Sequence, residues 1–200
     1  MLNAPRKDPA PEIKVISSRV PSPEEVVLVP PQILKTATKL LGLVNGNVKA
    51  KWAISGDAAE VMMGVNVNAD YIEILTTKEG CDEIDKILVD YRTLAPAMVE
   101  KKIPRDADID GKMLPVFIRS HYAEFGIDGV KVEVHGDEQI KVGEWEWGDA
   151  LDYTGDYTYI PGGKLPLVPL SLKSELYLGL GWLDRVTLVS DAVLQKHHGH

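Results

Sequence analysis

The chain has 200 residues, and its 22 lysines and arginines against 30 aspartates and glutamates give a formal charge of −8. Apolar residues at 44% and charged residues at 26% fit one folded domain and exclude wholesale disorder. The single cysteine, Cys81, excludes an intrachain disulfide and a cysteine zinc cluster.

Seven of the 13 prolines fall within residues 1–31. Proline fixes φ and removes a backbone donor, so residues 1–30 are expected to form an extended arm. Ile13-Lys14-Val15-Ile16 reads as a short edge strand within it, and the arm is a candidate contact for a homo-oligomer. The globular domain is expected over residues 31–196, with a histidine-containing tail at 197–200.

Gln32 to Val44 places Ile33, Leu34, Ala37, Leu40, Leu41 and Val44 at helical spacing, with Pro31 suited to the first turn. Lys51 to Ser55 reads as a short strand and Gly56-Asp57 as a turn. Ala58 to Met63 is a short helix stopped by Gly64, with Asp57 as its N-cap. Asp70 to Thr76 is a second strand, followed by an amphipathic helix over Lys78 to Tyr91. Residues 96–112 read as a charged loop, and Met113 to Tyr122 fits no single period. Val130 to His135 and Gln139 to Val142 look like a hairpin closed at Gly136-Asp137. Leu170 to Gly179 and Leu183 to Gln195 read as two closing helices. The expected fold class is α/β (α+β): a mixed sheet flanked by helices.

The strand, glycine turn, short helix and strand of residues 51–76 resemble the layout of the polymerase-β-like nucleotidyltransferases. Five segments carry the resemblance. Trp52-Ala53-Ile54-Ser55-Gly56-Asp57 resembles the first strand and its Gly-Ser turn, and Tyr71-Ile72-Glu73-Ile74-Leu75-Thr76 the strand that usually reads Asp-x-Asp. Glu79-Gly80-Cys81 to Leu88 resembles the helix after it. Ile127 to Val134 is similar to the strand with the third carboxylate. Leu165 to Leu172 with Gly181-Trp182-Leu183-Asp184-Arg185 is similar to the C-terminal helical segment.

The resemblance implies a nucleoside triphosphate held at Gly56 and Asp57 and two divalent ions, Mg²⁺ or Mn²⁺, that neutralise phosphate charge. It implies Glu73 and Glu133 as metal-binding and catalytic residues, with Asp70 as a further ligand. His135 lies two residues beyond Glu133 and shares its face in a regular strand. Three positions depart from the family pattern. Asp57 replaces the serine, Tyr71 replaces the first aspartate, and Glu73 stands where the second aspartate would be. In a regular strand Asp70 and Glu73 face opposite sides, and only a bulge would re-aim Asp70. The implied activity is transfer of an NMP from an NTP to an unknown acceptor. The departures supply the alternative, a catalytically inactive binding or interaction module on the same fold.

Other motifs fail on spacing. Asp106-Ala107-Asp108-Ile109-Asp110-Gly111 opens like an EF-hand loop, but the closing glutamate position is Phe117. Gly162-Gly163-Lys164 lacks the phosphate-loop spacing, and Gly179-Leu180-Gly181 follows no strand. Glu144-Trp145-Glu146-Trp147 alternates, which puts both tryptophans on one face of an extended segment, packed on the sheet. Ser55 has no histidine near it in the chain to activate it. No apolar run approaches the roughly 18 residues of a membrane span, and MLNAPRKDPAPE lacks a signal-peptide core. A cytoplasmic protein without a membrane partner is expected. The acidic balance argues against dispersed nucleic-acid binding and leaves room for a local basic patch.

Overall fold

A computed structural model of the protein describes residues 16–17, 29–151 and 155–198, with side chains over 29–151 and 155–194. Most of the proline-rich arm, including Ile13 to Val15, and residues 199–200 of the histidine tail lie outside the described residues. The chain runs β1 (Ile16–Ser17), α1 (Pro31–Val44), β2 (Trp52–Ser55), α2 (Gly56–Met62), β3 (Tyr71–Thr76) and α3 (Lys78–Ile87). It continues through β4 (Arg92–Lys102), β5 (Ala107–Ile109), β6 (Lys112–Leu114), β7 (Val116–Ile127) and β8 (Val130–Val142). The last elements are β9 (Asp156–Ile160), β10 (Gly163–Leu167), α4 (Leu170–Gly179) and α5 (Leu183–His198).

Eight strands form one mixed sheet in the order β1-β9-β10-β2-β3-β8-β7-β4, and β5 and β6 form a separate hairpin. The β10–β2 and β3–β8 pairs are parallel and the others antiparallel. Alternation along the central strands divides the sheet into two faces. Ile72 and Ile74 of β3 and Val132 and Val134 of β8 enter the main core with Ile33, Leu40 and Leu41 of α1 and Cys81 and Ile84 of α3. Each fully buried Ile or Leu of this kind contributes about 1.5–3 kcal/mol. Tyr71, Glu73, Glu133 and His135 are left on the other face.

Several expected elements differ. The helix after β3 stops at Ile87, and a 3₁₀ turn over Val89–Tyr91 follows. Residues 96–112 are not a loop: β4 occupies its start, and the β5–β6 hairpin occupies its end. Asp110 (φ 52°) and Gly111 (φ 74°) make the tight turn of that hairpin, which explains the Asp-rich stretch without calcium. β4 is an edge strand, largely exposed, so it shows no alternation and tolerates Pro96.

The hairpin expected within residues 130–142 is one continuous strand, β8. The real turn lies at Asp128 (φ 52°) and Gly129 (φ 82°), joining β7 to β8. Gly136-Asp137 instead marks a bulge. Between the pairs His121↔Gly136 and Arg119↔Gln139, β8 carries one residue more than β7, and Asp137 has φ 50°. The Trp145–Trp147 segment is a bend running into irregular chain, not a strand. Trp145 is exposed, while Trp147 lies beneath Arg119 and Lys141.

Candidate functional site

The sheet's open face carries a row of acidic side chains set by strand register. Glu73 of β3 stands directly opposite Glu133 of β8, and Glu133 stands opposite Glu124 of β7. Directly opposed residues share a face, so the three carboxylates point the same way. His135 joins them from the next inward position of β8. Ligand atoms of Glu73, Glu133 and His135 all lie within 4.8 Å of one another. That separation suits a shared ion with metal–oxygen bonds of about 2.0–2.6 Å.

The bulge builds the second layer of this cluster. In a regular strand His135 and Glu138, three residues apart, would face opposite sides. The extra residue at Asp137 turns Glu138 back, and its carboxylate lies 2.9 Å from His135 Nδ1. Ser120 Oγ is 3.0 Å from the same nitrogen, and His135 Nε2 is 3.5 Å from Glu133. Burial alone would lower the His135 pKa. Hydrogen bonds to Glu133 and Glu138, with the field of Glu138 and Glu73, reverse that and hold it above the ordinary histidine value.

Glu133 is 6% exposed and heavily compensated. Tyr122 donates to it at 3.0 Å and Lys131 at 2.7 Å, and Lys101 Nζ lies 3.8 Å away. Burial would raise its pKa, but His135, Lys131, Lys101 and Tyr122 together hold it well below the usual carboxylate range. Tyr71 is pushed up, by burial first and then by Glu73 and Glu133, and Lys131 lies over its ring at 4.8 Å. Tyr71 is thus a neutral neighbour of the carboxylates.

The cluster lies along a cleft of about 410 Å³. Gly56, Tyr71, Glu73 and His135 border it on the sheet side, while Ile103, Leu176 and Leu180 form part of an apolar wall. Lys101 of β4 and Lys173 of α4 also line it. Gly56 adopts φ +62°, and a β-carbon there would sit 3.5 Å from the Glu73 side chain, so the turn brings the α2 start against that carboxylate.

Asp57 corrects the expected cap. The residue at the N-cap is Ser55, and its hydroxyl is buried without a hydrogen-bond partner. Asp57 lines the cleft and is engaged by Arg185 of α5. The same guanidinium donates to Glu60 at 2.7 Å, and Tyr177 donates to the other oxygen of Glu60. Asp70 precedes β3, is exposed, and takes no part in the cluster.

The sequence reading names Glu73, Glu133 and Asp70 and notes His135 on the face of Glu133. The structure sets His135, not Asp70, beside the two glutamates. Glu138, Lys101, Lys173 and Arg185 are not singled out by the sequence. A Gly-Asp pair within a β-period run is a bulge signal as well as a turn signal, and that reading would have found Glu138. The cations come from distant elements and leave no local pattern.

The mixed sheet, the short helix after β2 and the paired C-terminal helices make a fold shared with a solved structure. The chain matches the crystal structure of a Thermotoga maritima protein provisionally named a nucleotidyltransferase, with a TM-score of 0.60 and 24% identity over 84% of this chain and 96% of that one. The likeness is one of fold. No family model matches the chain, and no curated protein matches it in sequence. Among the described residues, no helix is long and apolar enough to cross a membrane.

Proposed function

We propose that the cleft is a nucleotide-binding site of the polymerase-β-like kind, in which a nucleoside triphosphate is held with a divalent cation and its NMP is passed to an acceptor. The observation that carries this reading is the opposition of Glu73 and Glu133 with His135 alongside, their ligand atoms within 4.8 Å, in a cleft also lined by lysines. The donor set fits one divalent ion. Glu73, Glu133 and His135 Nε2 would hold it, while Glu138 orients the ring through Nδ1 as an outer-shell carboxylate. A bound ion there would neutralise phosphate charge and polarise the reacting phosphoryl group. One nitrogen beside two carboxylates favours Mn²⁺ over Mg²⁺. The Gly56 turn would face the phosphates. Arg185 already balances the charge of Asp57, so the aspartate in place of serine does not forbid an anion nearby.

In the transfer, an acceptor oxygen bonds to the α-phosphorus as the α–β bridging P–O bond breaks and pyrophosphate departs. Calorimetric titration of ATP, CTP, GTP and UTP with Mn²⁺, on the wild-type chain and on Glu73→Ala, tests the reading. Metal-dependent nucleotide binding that Glu73→Ala abolishes supports it. No binding of any nucleotide overturns it.

A second reading rests on the compensation of Glu133 by His135, Lys131 and Lys101, which gives the carboxylate partners without any metal. On that reading the fold is a non-catalytic module that binds another copy through its proline-rich arm. Sedimentation of the full chain against residues 31–200 separates the two. Arm-dependent self-association without nucleotide binding favours the module, while a monomer that binds nucleotide favours the enzyme.

A further inference from the structure

Lys173 of α4 is 9% exposed, lines the cleft, and has no hydrogen-bond or ion-pair partner for its ammonium among the described residues. The residue is otherwise covered by protein, so the ammonium is presented to the cleft and is available to an anion that enters it. Burial would lower its pKa, but Glu73 first, then Tyr177, Glu60 and Glu138, reverse the shift and keep it charged. The other basic groups on the cleft are already engaged. Lys101 lies 3.8 Å from Glu133, and Arg105 is paired with Asp184 and stacked 5.0 Å from the Trp182 ring.

Building on the nucleotide-site reading above, we infer that Lys173 is the anion-anchoring residue of the cleft, taking a phosphate group of an organic phosphate whose apolar part lies against Ile103, Leu176 and Leu180. An ammonium offers three donors as a point charge and suits a phosphate oxygen without demanding fixed geometry. The ligand thus meets a free cation on α4 and an acidic cluster on the sheet, which matches an anionic chain that also carries a divalent cation.

The test is calorimetric titration of inorganic tripolyphosphate and of ATP into the full chain, without metal and with Mn²⁺, on wild type and Lys173→Met. Thermal unfolding is recorded in parallel. Loss of a charge-assisted bond predicts binding of both ligands about tenfold weaker or more in Lys173→Met. Its Tm falls only modestly, because the fields of Glu73, Glu60 and Glu138 that favour the ammonium in the fold are lost with it, and the affinity for Mn²⁺ alone does not fall. Lys173→Gln serves the same comparison if the Met variant does not fold.

Tripolyphosphate that binds both chains equally, or fails to bind wild type at millimolar concentration, overturns the inference. So does a lowered Tm with unchanged binding, which marks a structural lysine. The two readings fail separately. Lys173-dependent tripolyphosphate binding with no gain from a nucleoside, and no effect of Glu73→Ala, removes the nucleotide reading and leaves the anion site. Nucleotide binding indifferent to Lys173→Met removes the anion site and leaves the nucleotide reading.

Discussion

Arg185 of α5 donates to Asp57 at the start of α2, across 128 positions of sequence. The contact ties the C-terminal helices to the turn that borders the cleft. The guanidinium balances the charge of Asp57 at the cleft edge. Glu60, one turn further along α2, is fully buried and depends on the same arginine together with Tyr177. Burial raises the Glu60 pKa, and Tyr177 and Arg185 oppose that rise. α2 is therefore held by a buried ionic cluster as well as by apolar packing.

Removing one member of such a cluster is worse than removing both. Arg185→Met leaves the buried Glu60 carboxylate with only Tyr177, and stability should fall by about 3–5 kcal/mol. The double variant Arg185→Met with Glu60→Gln should recover a large part of that loss, because no buried charge is then stranded. Urea unfolding of the four chains of the cycle measures it. Additive losses would show that the arginine acts through packing alone.

The Glu133–His135 pair sets a pH window for the metal-free protein. Glu133 is held below its ordinary value of 4.5, so its contribution is present above that pH and is lost as pH falls toward the depressed folded value. His135 is held above 6.5, so its contribution is full below that pH and is lost as pH rises through the elevated folded value. With chelator present, stability should be highest near pH 4.5–6.5 and fall on both sides. Glu133→Gln should flatten the acid limb by at least about 1.4 kcal/mol, the equivalent of one pKa unit. Urea midpoints between about pH 3 and 10 follow it, and identical slopes in the two chains would remove Glu133 as the cause.

Much of the fold is legible in the chain because its central strands alternate. Ile72, Ile74, Val132 and Val134 mark the core face, and the same alternation places Glu73 and Glu133 together on the other face. Their direct opposition needed the parallel pairing of β3 with β8, which no local pattern encodes. β4 escaped because an exposed edge strand has no buried face to impose a period. The hairpin reading at Gly136-Asp137 failed because turn residues serve bulges equally well. Asp57 was assigned to capping by propensity, and a tertiary partner on α5 displaced that role.

The junction of α4 and α5 is fitted closely to the β5–β6 hairpin. Asp108 N–H donates to Leu180 C=O at 3.0 Å, and Trp182 Nε1–H donates to Asp106 C=O at 2.8 Å. Between them Gly181 has φ +67°, and a β-carbon there would lie 2.0 Å from the Asp108 carbonyl oxygen. Both the backbone conformation and the clash oppose a side chain, so Gly181→Ala should destabilise the protein by about 2 kcal/mol or more. Hydrogen exchange should show the loss first at Asp108 N–H. Unchanged protection there would mean that the junction does not hold the hairpin.

On the metal-site reading, Mn²⁺ at the cluster would carry its own proton signature. The buried His135 ring faces Glu133 through Nε2 and Glu138 through Nδ1, and its raised pKa keeps it protonated at neutral pH. A ligating imidazole must give up the proton on the metal-facing nitrogen, so Mn²⁺ binding should release about one proton at pH 7. Below the raised pKa the affinity should then climb about tenfold per pH unit. Titrations in buffers of different ionisation enthalpy count that proton. His135→Asn should abolish both the release and the preference for Mn²⁺ over Mg²⁺, leaving weak binding by the carboxylates alone. Release that persists in His135→Asn would place the displaced proton on another group and take His135 out of the ligand set.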